Sequence, residues 1–164
     1  MQFSHDRYNP AGIRNIFLLY IALLLGQILF SFVVIFLITQ PDKVLTDGSP
    51  YTFLGLLVVF LSAGAAWFVN NLRVQQAAMI KGALADKLMH YRTSIVMRSA
   101  MVEAGNLFCV VLALLTSSLT PFLFFCLGLG VFLFFRPQLD EVNRVYQLSL
   151  EEQRTLEQQL RRRI

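Results

Sequence analysis

Glu103 stands inside an apolar stretch of this chain, with Arg98 five residues before it and Asn106 three residues after. Counted back from Ser117 at ~1.5 Å per residue, it sits about 21 Å from the outer end of its helix. That depth is inside hydrocarbon, where a charge costs at least ~2–3 kcal/mol, so such a carboxylate faces protein or water and often marks function. Burial there favours the neutral acid. A group that can gain and lose a proton within a membrane can carry one; a protonated Glu can equally serve only to fix helix packing. Arg98, nearer the inner interface, can extend towards the headgroups or pair with a neighbouring helix. Gln27 is the strongly polar residue of the first apolar run and lies at nearly the depth of Asn106. Amides at one level of two helices can bond across the interface, worth roughly 0.6–2 kcal/mol. These residues predict an intramembrane polar cluster of Gln27, Glu103, Asn106 and Arg98, with structural glue as its main role.

Other chemistry is thinly represented. Cys109 and Cys126 both lie in apolar runs, and His5 and His90 are far apart in the chain. That is neither a disulfide framework nor a zinc pattern. The chain has no phosphate loop, no glycine-rich dinucleotide turn, no metal-binding His-Glu pair and no nucleophile triad. The expectation is a protein that is not an enzyme and holds no metal or cofactor.

The elements that must position these residues follow from composition. Of 164 residues, 56% are hydrophobic and only 15% charged, against ~45–50% and ~25% in soluble domains. So little charge cannot cover a water-facing surface, which makes lipid the natural solvent. A bilayer core of ~30 Å needs about 20 apolar residues per helix. Four runs qualify as spans, at about residues 16–39, 51–69, 93–117 and 119–135. The first is too long for the apolar core of a signal peptide and is read as a retained span. Thr120 and Pro121 suit the start of the fourth. The small residues Ser62, Ala63, Gly64, Ala65 and Ala66, with Gly55, Gly128 and Gly130, allow close helix approach, inside the molecule or between copies.

The predicted class is therefore all-α, an integral membrane four-helix bundle over residues 16–135, between a segment 1–15 and a helical tail 136–164. All lysines and arginines except Lys43 lie in the N-terminal segment, the central connection, the start of the third span or the tail. The positive-inside rule then places both termini and the connection of residues 70–92 in the cytoplasm. The net charge of +4 fits that topology and an anionic lipid surface, and gives no reason to expect nucleic acid. Leu84, Leu88, Tyr91 and Ile95 recur at helical spacing, so the connection reads as amphipathic, broken near Gly82. In the tail, Pro137 suits a helix start, Asp140 and Arg144 have i,i+4 spacing, and Ser149 with Glu152 forms a capping box. Arg161, Arg162 and Arg163 at its end fit a lipid-headgroup or partner contact, or a solvated helix end. The first and third spans also align at an offset that lays Leu29-Phe30 on Leu107-Phe108. Either a tandem repeat of two helical hairpins or the general likeness of leucine-rich spans accounts for this.

Residues 91–116, YRTSIVMRSAMVEAGNLFCVVLALLT, resemble the carboxylate-bearing helix of the c-type proteolipid subunits of rotary ATP synthases. That resemblance implies an ion-binding role for Glu103. The glycine-rich preceding span and Arg-Gln-Pro loop of those subunits have no counterpart here. Over its length the chain is similar to small uncharacterised four-span bacterial inner-membrane proteins. The carriers of this likeness are Tyr91-Arg92-Thr93, the Ala-x-x-Glu-Ala-Gly stretch of residues 100–105, Pro137 and Leu148-Ser149-Leu150. It implies a bacterial inner membrane and no assigned activity. The expected role is an accessory or scaffold component of a membrane complex, with partner membrane proteins or a homo-oligomer. The alternative is a proton-coupled carrier or channel-like protein using Glu103.

Overall fold

The computed structural model describes residues 13–41, 51–80 and 82–161. These residues form six α-helices and no strand: α1 (Ile13–Ile38), α2 (Thr52–Ala77), α3 (Leu84–Thr116), α4 (Thr120–Phe134), α5 (Leu139–Tyr146) and α6 (Leu150–Arg161). The first connection, with Asp42, Lys43 and Asp47, lies outside the described residues.

α1, α2 and α3 are each long and apolar enough to cross a membrane. Their outward faces carry Leu29, Phe32, Phe36, Phe53, Phe60 and Trp67, all largely exposed. An apolar surface of that extent belongs in hydrocarbon rather than water. α4 differs from the expected fourth span. Its 15 residues reach only ~22 Å, short of the ~30 Å required. It passes as a span only together with α5, across a bend of 55°. The bend falls at Arg136-Pro137, where proline removes a helical donor and pushes the preceding residue out of the helical region. Among the described residues, three helices are thus long and apolar enough to span a membrane, or four if the bent pair counts as one.

The connection of residues 70–92 contains no separate helix. α2 runs on to Ala77 and α3 begins at Leu84, leaving a short break around Gly82. The two halves are correspondingly unequal. α2 is one helix of 26 residues, whereas its counterpart is a short helix followed by a bent one.

α3, at 33 residues the longest element, is the axis on which α1, α2 and α4 pack, and α2 also touches α4. The α2–α3 hairpin keeps one antiparallel register, seen in the pairs Gly55 with Leu112, Ser62 with Gly105, Asn70 with Arg98 and Arg73 with Ser94. A Cβ on Gly105 would strike the Ser62 hydroxyl, so glycine sets how closely these two helices meet. At the far end α3 stops at Ser117, whose φ of 45° is left-handed, and α4 follows with Pro121 in its first turn.

Two apolar clusters fill the interior. One, towards the Ser117 turn, contains Val34, Ile38, Val59, Cys109, Val110 and Phe125. The other, towards α5 and α6, includes Ile16, Tyr20, Ile95, Val102, Phe132 and Val142. Where α4 ends, the Arg136 amide turns back to the carbonyl of Leu133 and leaves the carbonyl of Phe132 without its helical donor. The Tyr20 hydroxyl of α1 donates to that carbonyl at 2.8 Å, and the two rings stack at 4.7 Å.

Candidate functional site

Between the two apolar clusters lies a polar layer. Asn106 of α3 is fully buried, and its amide donates to Oε1 of Gln27 on α1 at 2.7 Å. Its own Oδ1 sits over Gly128 of α4, so close that a Cβ there would collide with it. This is the geometry of a Cα–H···O contact, a weak bond that recurs where helices approach. Asn106 therefore joins three helices near mid-depth, about 15 Å from the end of α3. The Gln27 amide nitrogen and Asn106 Oδ1 have no conventional hydrogen-bond partner among the described residues.

Glu103 does not join this layer. It is half-buried, and among the described residues it has no hydrogen-bonding or ion-pairing partner. Arg98, predicted with the same cluster, belongs to a different one nearer α5.

That second cluster is the most organised polar site among the described residues. Arg98 is 3% exposed, and its guanidinium makes a bidentate contact with Glu141 of α5, Nη1 to Oε1 at 2.6 Å and Nη2 to Oε2 at 2.8 Å. Nη1 also donates to Asn70 of α2 at 2.7 Å, and the Phe135 ring centroid lies 5.7 Å from the guanidinium carbon. Paired planar forks of this kind are among the strongest hydrogen bonds in proteins. Neutralising Arg98 also lets it sit ~27 Å from the Ser117 end of α3, a depth near the edge of a ~30 Å hydrocarbon layer. Tyr91 completes the acid's surroundings. Its hydroxyl donates to Glu141 at 2.9 Å and accepts from the Gln138 amide at 2.9 Å, which fixes the first turn of α5.

The cluster continues along α2 and α3. Arg73 donates through Nε to the Ser94 hydroxyl at 3.2 Å and through Nη2 to the His90 carbonyl at 3.5 Å. His90 Nδ1 lies 2.6 Å from the Tyr146 hydroxyl at the end of α5. His90 is thus held between helices by a phenol.

α6 is fastened separately. Lys87 of α3 bridges Glu152 at 2.8 Å. Glu152 also accepts from the Ser149 amide, and the Ser149 hydroxyl accepts from the Glu152 amide, the reciprocal capping box. The Lys87 ammonium beside Glu152 holds its carboxyl below the usual carboxylate range, with the Ser149 amide acting in the same direction. Leu156 is buried against the apolar cluster near α1. Arg162 and Arg163 lie outside the described residues, and of Arg161 only the backbone is described.

The predicted Asp140–Arg144 pair does not form an ion pair. Glu141, one residue along, carries the contact instead. Sequence reasoning missed Glu141, Asn70 and Tyr91. A signal was present: an arginine inside a span demands an acid, and the turn of α5 that carries Leu139 and Val142 faces inward. Chemically, the site is an arginine–carboxylate–phenol network in which most hydrogen bonds run between its own members, while the buried Arg98 Nε and His90 Nε2 have no partner among the described residues. It is suited to holding α5 in place. Cys109 is buried, Cys126 is exposed, and both are free thiols. Among the described residues no three His, Cys, Asp or Glu side chains gather as a metal site. No family model, curated protein or solved structure matches the chain.

Proposed function

We propose that this protein is a non-catalytic accessory or scaffold component of a bacterial inner-membrane complex, with both termini in the cytoplasm. In this reading α1 to α4 form a four-helix bundle in the membrane, and α5 and α6 form a fixed platform beneath it for a partner protein. The observation that carries it is the bidentate Arg98–Glu141 contact. A tail that only trailed into the cytoplasm would not need a buried arginine in α3 to hold it. Lys87–Glu152 does the same for α6, whose outward face, with Glu151, Arg154 and Glu157, remains open and charged. The basic residues at this end support the cytoplasmic orientation. The choice of a bacterial inner membrane rests on the resemblance read from Tyr91-Arg92-Thr93, residues 100–105, Pro137 and Leu148-Ser149-Leu150 alone.

The test is the mass of the complex extracted from native membranes in a mild detergent. The full chain is expected in an assembly of fixed stoichiometry, and a chain lacking residues 150–164 is expected to insert normally but to leave that assembly. If the full chain runs alone, or the truncated chain keeps the same company, the scaffold reading fails.

One observation favours a second reading, a proton-coupled carrier or channel-like protein. Glu103 sits at intramembrane depth with no polar partner among the described residues, and such a carboxylate is free to exchange a proton. It lines neither the groove described below nor the pocket beside Arg73 and Tyr146. The scaffold reading therefore stands first.

A further inference from the structure

Beside the Arg98–Glu141 pair, a groove of about 530 Å³ opens between the end of α2, the end of α4 and the start of α5. Its size falls within the ~300–1,000 Å³ of small-ligand clefts. Its lining combines the apolar Trp67, Leu133 and Phe134 with Arg98, Arg136 and Arg144, and Glu141 is its only acid. Glu141 is already spent on Arg98 through both of its oxygens. Arg136 and Arg144 are exposed, and among the described residues no carboxylate lies within ion-pair distance of either. The groove is thus an amphipathic cleft with two uncompensated positive charges.

Its depth gives the apolar side a purpose. α4 stops ~22 Å from the Ser117 turn, so Leu133 and Phe134 end several ångströms inside the hydrocarbon boundary while Arg136 follows at the boundary itself. Trp67 of α2, exposed and lining the same groove, has the amphipathic ring found at headgroup level in membrane proteins. A ligand that fits must be apolar where it meets Trp67 and Phe134 and anionic where it meets the arginines. Guanidinium groups match phosphate oxygens in both charge and fork geometry.

We infer that this groove binds one anionic phospholipid, with its headgroup phosphate between Arg136 and Arg144 and an acyl chain against Trp67, Leu133 and Phe134. The short α4 leaves the space, and the bend into α5 brings Arg144 to face it. The site is independent of the scaffold reading, since it needs only that the helices lie in a bilayer.

The experiment is native mass spectrometry of the full chain in detergent with phosphatidylglycerol or phosphatidylcholine added at equal concentration. The wild type is expected to retain one phosphatidylglycerol per chain, at about 25-fold higher occupancy than phosphatidylcholine, each of the two basic contacts at an anionic surface contributing a factor of about five. Arg136→Gln with Arg144→Gln should abolish that preference, while Arg154→Gln, off the groove on α6, should keep it. Millimolar inorganic phosphate should leave the bound lipid in place. Equal retention of the two lipids by the wild type overturns the proposal without reference to any variant. So does an undiminished preference in the double variant, or displacement by phosphate, which would make the groove a simple anion site.

Discussion

Arg98 and Glu141 are 43 positions apart in the chain, yet they meet through two parallel hydrogen bonds of 2.6 and 2.8 Å at the end of the long apolar helices away from the Ser117 turn. The same guanidinium reaches Asn70, so one side chain ties together α2, α3 and α5. An arginine this buried costs a great deal unless it is paired, and once paired its partner cannot be removed cheaply.

Glu141→Gln should therefore loosen α5 and α6 from the membrane helices. The pair is not wholly dry, since the Glu141 side chain keeps 16% of its exposure. The expected loss is about 2–3 kcal/mol, below the ~3–5 kcal/mol of a fully buried pair. It should be read as trypsin cleavage in the tail, at Arg144 and Arg154, under conditions where the wild type resists. Arg98→Met with Glu141→Leu removes both charges and should recover much of that resistance. A tail equally protected in wild type and Glu141→Gln would show that the contact holds nothing.

Asn106 and Gly128 make a second coupled pair. Gly128→Ala drives a methyl group into Asn106 Oδ1, and overpacking of this kind costs about 1–3 kcal/mol. Asn106→Ala loses the bond to Gln27 and should cost about 1–2 kcal/mol. With Asn106 trimmed, the methyl at position 128 has room, so the double variant should be more stable than the two losses added together by about 1 kcal/mol. Thermal unfolding in one detergent for all four chains decides this. Strict additivity would mean that the two residues do not touch.

The Lys87–Glu152 bridge predicts an acid-sensitive α6. The folded carboxyl titrates below its ordinary value of 4.5, so in the unfolded chain it binds protons more readily than in the folded one. The stabilisation is then fully present above pH 4.5 and is lost as pH falls through the lower, folded value. Protonation weakens the Lys87 contact and the bond to the Ser149 amide together. Protection of the α6 amides, taken relative to the intrinsic exchange rate at each pH, should fall in the wild type as pH drops below 4.5. In Glu152→Gln that protection should already be lower at neutral pH and should not depend on pH across the same range. A wild-type profile that does not change between pH 6 and pH 3 would remove the bridge as the fastening of α6.

Much of this architecture is written locally. α1 and α2 follow from uninterrupted apolar runs, the start of α4 from Thr120-Pro121, and the cap of α6 from Ser149 and Glu152. The approach of Gln27 and Asn106 follows from their equal depth on two parallel helices. What the sequence hid is long-range or angular. Periodicity cannot say which acid closes on Arg98, and Asp140 and Glu141 differ by one position. Nor does spacing by three fully define a face. Three residues turn a helix by roughly 60° short of a full turn, and that rotation carries Glu103 away from the Gln27 side that Asn106 occupies. The shortness of α4 was concealed because Phe135 continues its apolar run past the point where the backbone leaves the helix.

Glu103 supplies the contrast that separates packing from function. Asn106, one turn away, is bonded to Gln27; Glu103 has no polar partner among the described residues, so its loss removes no hydrogen bond. Glu103→Gln should change stability by no more than about 0.5 kcal/mol, as for substitutions remote from any network. A glutamine keeps the size of the protonated acid but cannot exchange a proton. In liposomes under a pH gradient, the carrier reading expects Glu103→Gln to lose proton flux and Glu103→Asp to keep part of it. Wild-type flux no greater than that of empty liposomes would end that reading. Should Glu103→Gln instead unfold well below the wild type, the carboxyl must be bonded in the membrane by a group outside the described residues or on a second copy. A change in oligomer mass on substitution would then identify the second copy as its partner.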